Sequence, residues 1–164
     1  MARISTNTRR RMDRLTRRRD KIVRTPSYTG HRFLYRFDAS LRLAGIGEHH
    51  STITQLTGLA PTQAHLKGEL RSTRSTGRQW QEDMWRLESP LGEDASLDQH
   101  LEWLYGAIAP HREYFRGVIS QCSRADITLG CLSESPYPFL TVDAESLRLL
   151  RELNLAISFN FTCV

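Results

Sequence analysis

The stretch Arg32-Phe33-Leu34-Tyr35-Arg36-Phe37-Asp38-Ala39-Ser40-Leu41-Arg42-Leu43 decides the fold class. In an extended chain Phe33, Tyr35, Phe37, Ala39, Leu41 and Leu43 point one way, and Arg32, Leu34, Arg36, Asp38, Ser40 and Arg42 the other. A period of two held over the whole stretch predicts a strand buried on one face. The C-terminus repeats the pattern, with Leu155, Ile157, Phe159, Phe161 and Cys163 alternating with Ala156, Ser158, Asn160 and Thr162. Ala125, Ile127, Leu129 and Cys131 alternate as well. Strands with one polar face suit a sheet covered by helices on one side only.

Between these strands the period changes. A short helix is predicted over 48–57, burying Ile53 and Leu56, with Gly58 at the left-handed C′ position and Pro61 blocking continuation. Residues 60–79 read as a long loop with Gly68 and Gly77, followed by a strand near 80–89 that places Trp85 and Leu87 on one face. Ser96 and Gln99 make a capping box for a helix whose apolar stripe is Leu97, Leu101, Leu104, Tyr105 and Ile108. Pro110 interrupts it, and a second helical segment carries Tyr114, Phe115, Val118 and Ile119. Ser133–Pro138 reads as a loop, Phe139–Val142 as a short strand, and Asp143 as the cap of a helix with Leu147, Leu150 and Leu153. The order β-α-β-α-α-β-β-α-β predicts an α+β two-layer sandwich. Its sheet is largely antiparallel, of about five strands, with helices on one face and a ferredoxin-like tendency in the latter half.

Charge divides the chain. Residues 1–28 hold ten Lys and Arg against two Asp, a net +8, and residues 29–164 hold thirteen against sixteen Asp and Glu, a net −3. The first segment is read as a disordered basic arm, and the rest as a single domain. Arg9, Arg10, Arg11, Arg17, Arg18 and Arg19 of the arm are candidates for weak, salt-dependent nucleic-acid association. A start placed too far upstream would produce such an arm as well. No apolar run reaches the roughly 20 residues of a bilayer span, and no apolar segment follows the basic residues as in a secretory signal. Cys122, Cys131 and Cys163 form no Cys-x-x-Cys pair and are read as small hydrophobes of a cytoplasmic protein.

A further set of residues recurs in a known order. It runs Ala39-Ser40-Leu41-Arg42, Ile53-Thr54, Leu56, Gly58-Leu59, Pro61-Thr62, His65 and Lys67-Gly68. It continues through Trp85, Glu88-Ser89, His100-Leu101-Glu102-Trp103-Leu104, Ala125-Asp126-Ile127 and Leu153-Asn154-Leu155 to Phe159. In this order the chain, from about His31 to Phe161, resembles the family of small bacterial proteins called domain of unknown function 4279. The resemblance implies a domain boundary and a fold class. It brings no activity, cofactor or site assignment with it.

The residues themselves point to three classes of function. The first is a small binding module, such as an inhibitor or immunity-type partner of another protein, with its polar sheet face available. The second is a small-anion binder or enzyme using the 61–78 loop. There His65, Lys67 and Arg71, with Arg74 and Arg78, gather positive charge beside glycines, and Trp85 is expected to form an apolar wall. The third is nucleic-acid association through the arm. Adjacent His49 and His50 diverge on a helix and make a poor chelate, so neither metal nor cofactor is expected. The Glu82-Asp83 and Glu93-Asp94 pairs read as surface charge. Phe159 and Phe161 fall in phase with the core, which argues against a base-stacking platform for RNA.

Overall fold

The first alternating strand runs through the middle of the sheet. The computed structural model describes residues 35–71 and 77–164. The strands are β1 (Tyr35–Ala44), β2 (Gln63–His65), β3 (Met84–Glu88), β4 (Arg124–Ser133) and β5 (Ala156–Cys163). The helices are α1 (His49–Thr57), α2 (Leu97–Ile108), α3 (Arg112–Gln121) and α4 (Arg148–Leu153), with a 3-10 turn, Ala109–His111, at Pro110. One sheet takes the order β2-β3-β1-β4-β5. The β1–β3, β1–β4 and β2–β3 pairs are antiparallel, and β4–β5 is parallel. The expected α+β architecture with an open sheet face is present.

Register explains the core. Leu41 stands between Leu87 and Ile127, and Leu43 between Trp85 and Ala125. Ile53 of α1, Leu101, Leu104 and Ile108 of α2, Phe115 and Val118 of α3, and Leu149 and Leu153 of α4 close over that face. The capping box forms as expected: the Gln99 N–H donates to the Ser96 hydroxyl, and the Ser96 N–H donates to Gln99 Oε1. Gly58 ends α1 at φ 73°.

Four local expectations are corrected. Leu56 is 65% exposed, because α1 reaches the core only at Ile53. The 60–79 segment is not all loop: Gln63–His65 forms β2, and residues 69–71 and 78–80 make a hairpin. Its bonds run from the Gly68 N–H to the Trp80 carbonyl, from Trp80 N–H to the Glu69 carbonyl and from Arg71 N–H to the Arg78 carbonyl, each 2.9 Å. Phe139–Val142 is not a strand, since β5 occupies the edge of β4. Leu140 and Val142 lean on the core while Phe139 is 82% exposed. Asp143 does not cap a helix; its N–H donates to Asp98 Oδ1 at 3.0 Å, and helix α4 starts only at Arg148.

The largest difference concerns β5. Its phase is as expected, with Ile157, Phe159 and Phe161 beside Ile127, Leu129 and Cys131 on the helix side. Burial does not follow phase: Ile157 is 37%, Phe159 51% and Phe161 48% exposed. The cause is length. A six-residue α4 spans about 9 Å, whereas an eight-residue strand spans about 26 Å. Leu149, Leu153 and Leu155 are covered at the Ala156 end, and the helix-side residues beyond them are left open.

Candidate functional site

Two places on the described surface depart from what packing alone requires. The first is the β5 edge. Ala156-Ile157-Ser158-Phe159-Asn160-Phe161-Thr162-Cys163 contains no charged residue, proline or glycine, the devices that normally blunt an edge strand. The Phe159 and Phe161 rings stack with centroids 6.0 Å apart and planes 6° apart. Tyr35 and Phe37 stack likewise at 6.0 Å, two strands away on the same helix-side face.

The second place is on the open face, where β2 brings His65 beside Met84. The pairing of residues 69–71 with 78–80 sets Trp80 onto His65, with ring centroids 3.8 Å apart, and the Arg71 guanidinium lies over Trp80 at 4.7 Å. Together with Arg42, Arg124, Glu82, Gln81, Met84 and Ala44 they line a recess of about 180 Å³. Burial pushes the His65 ring toward its neutral form. Arg71 and His50 act in the same direction, and Glu69 and Asp83 oppose them.

Beside this recess lies a buried carboxylate. Arg42 Nε and Nη2 donate to Asp126 at 2.9 and 2.6 Å, Arg124 approaches at 3.3 Å, and the Ser158 hydroxyl also donates to it. Asp126 is 1% exposed. Burial opposes its charge. The hydrogen bonds from Arg42 and Ser158 and the charges of Arg42 and Arg124 outweigh burial and hold it below the ordinary carboxylate range. Along the same face Arg86 donates to the Ser40 hydroxyl at 2.9 Å and faces Asp38 at 3.8 Å. Gly130 makes room for Asp38, whose carboxylate lies where a Cβ at 130 would stand.

The residues singled out in the sequence separate. His65 and Arg71 come together around Trp80. Lys67 is exposed and does not line the recess. Trp85 is not its wall: it is fully buried on the opposite, helix-facing side, against Phe115 at 6.1 Å. Trp80 holds that place, and only the hairpin fold, not spacing, could have paired it with His65. Thr62 has a structural task, since its hydroxyl donates to the Arg86 carbonyl at 3.0 Å and accepts from the Glu88 N–H at 3.1 Å. Asp83 is more than surface charge: it accepts the Ile46 and Gly47 N–H groups at 2.7 and 3.0 Å and fixes the turn after β1. Arg74 and the arm arginines Arg9, Arg10, Arg11, Arg17, Arg18 and Arg19 lie outside the described residues.

Among the described residues no group of three or more His, Cys, Asp or Glu could hold a metal ion. No helix among them is long and apolar enough to cross a membrane. Burial pushes the Cys122 thiol up to about 11 and raises that of Cys131, which makes both poor nucleophiles at neutral pH.

A family model described as domain of unknown function (DUF4279) matches residues 34–163. No curated protein and no solved structure matches the chain.

Proposed function

We propose that this domain, a member of the DUF4279 family whose model runs along the whole described sheet, is a small binding module whose protein partner lays an extended segment along β5. One observation carries this reading: Phe159 and Phe161 stand in phase with the core yet are about half exposed, on an edge strand with no charge. An edge strand offers unpaired main-chain donors and acceptors for strand addition, and its alternating side chains set which partner fits.

The chemistry of β5 defines the partner. Ile157, Phe159 and Phe161 favour an apolar or β-branched residue opposite, and Ser158, Asn160 and Thr162 favour small polar ones. The partner segment is therefore uncharged and alternating. A Phe side chain carries roughly 150–250 Å² of surface. Covering the exposed half of two such rings is worth about 5 kcal/mol at roughly 25 cal/mol per Å². Ordering two chains costs at least that much, so main-chain bonds must add to it and the affinity is modest. An inhibitor or immunity-type role is one form such binding takes.

The test compares affinity capture from the native cell by the wild-type chain and by F159S/F161S, with the oligomeric state of each measured by sedimentation. The reading expects a captured protein that the variant loses, with the variant still folded. A partner held equally by both overturns it. A wild-type dimer that the variant dissociates overturns it too, and assigns the edge to a second copy of this chain.

A further inference from the structure

We infer that the open-face recess between the paired 69–71 and 78–80 segments and β1–β4 is a binding site for a small oxyanion, a carboxylate or phosphate group, held by Arg71 and Arg124 with His65 beneath it. This site lies on the opposite face of the sheet from Phe159 and Phe161, and it stands independently of the β5 reading.

Three observations converge. First, Arg71 has no carboxylate partner among the described residues; its guanidinium rests on the Trp80 ring, which orients its donors without neutralising them. Second, His65 is 7% exposed, lines the recess and stacks at 3.8 Å on the same Trp80 ring that carries Arg71. An imidazole N–H at the recess can donate to a ligand oxygen. Third, Arg124 is 57% exposed and reaches Asp126 through one nitrogen at 3.3 Å, which leaves further donors at the rim.

The surroundings set the class of ligand. Of the lining groups, Arg42 is committed to Asp126 by two bonds, and Glu82 accepts from the Ser123 hydroxyl at 2.9 Å. The negative charge of Glu82 at the lining disfavours highly charged ligands such as polyphosphates. About 180 Å³ admits one oxyanion and a short organic tail. Planar guanidinium groups match the oxygens of carboxylate and phosphate alike.

The experiment follows the Trp80 indole N–H and the His65 ring signals of the full chain by NMR during titration with inorganic phosphate and, separately, acetate. Local signals are needed because the ten Lys and Arg of residues 1–28 attract anions by charge alone. Saturable shifts of both signals are expected in the millimolar range, with the stronger ligand showing which oxyanion fits. Arg71→Gln and Arg124→Gln should each weaken binding about tenfold, the scale of one charge-assisted bond. Lys67→Met, outside the recess, should leave it unchanged. Bound anion should also raise the His65 titration midpoint. Signals that stay still with both anions, or move equally in the wild type and Arg71→Gln, overturn the assignment.

Discussion

Asp126 shows how one residue can be decisive without being part of a reaction. It is a carboxylate buried to 1% exposure, and it stays charged only because Arg42, Arg124 and Ser158 surround it. Asp126→Asn keeps the shape and removes the charge, leaving Arg42, whose side chain is 28% exposed, without its counter-ion. The expected loss in chemical denaturation is about 2–3 kcal/mol, below the 3–5 of a wholly buried pair because Arg42 keeps some water. The acid dependence has two windows. His65 and His100 have pKa values lowered chiefly by burial, so the unfolded chain binds more protons below the ordinary value of 6.5. Their share of stability is complete above that pH and falls as pH drops below it. The depressed pKa of Asp126 adds a contribution that is complete above 3.8 and lost as pH falls through its lower folded value. Denaturation midpoints across this range should decline in both windows, and Asp126→Asn should flatten the second alone. A stability that is level from neutral pH to about 4 would contradict the histidine assignment.

At the scale of elements, the mismatch between α4 and β5 separates two kinds of apolar residue that look identical in sequence. Leu129 and Phe159 are register partners on the same face, yet Leu129 is 1% exposed and Phe159 51%. Leu129→Ala is expected to cost 2–5 kcal/mol in unfolding free energy, whereas Phe159→Ser should cost about 1 or less. Equal losses would mean that β5 is covered. Ser96→Ala should cost about 1 kcal/mol by removing the hydroxyl side of the α2 capping box. That box, the Gly58 stop and the phases of β1, β4 and β5 were legible because each depends on residues near one another in sequence. The cover over β5 was not. It depends on where α4 starts, and Asp143, a good capping residue, bonds elsewhere while the helix begins five residues later at Arg148. Phe139–Val142 had strand-like residues, but the edge of β4 already had a better partner in β5.

For the whole molecule, the sheet presents two unlike surfaces: an ion-paired open face with a small cationic recess, and an apolar strip where the helix layer stops short of β5. His65 and Arg71 were legible as a candidate site because their types and the length of the loop stood out. Trp80 was not, since only the hairpin brings it over His65. Trp85 misled because the sequence places it near the loop while the pleat turns it to the core. The central claim is that a protein partner occupies the β5 strip, and photo-crosslinking in the native cell addresses it most directly. A benzoylphenylalanine in place of Phe161 keeps an aromatic group at the strip, and the same group in place of Arg112, whose side chain is 53% exposed on α3, serves as control. The expected result is a discrete crosslinked protein from position 161 that is absent from position 112 and differs in mass from a doubled chain. No adduct at 161, the same adducts from both positions, or an adduct of twice the chain's own mass would contradict the claim.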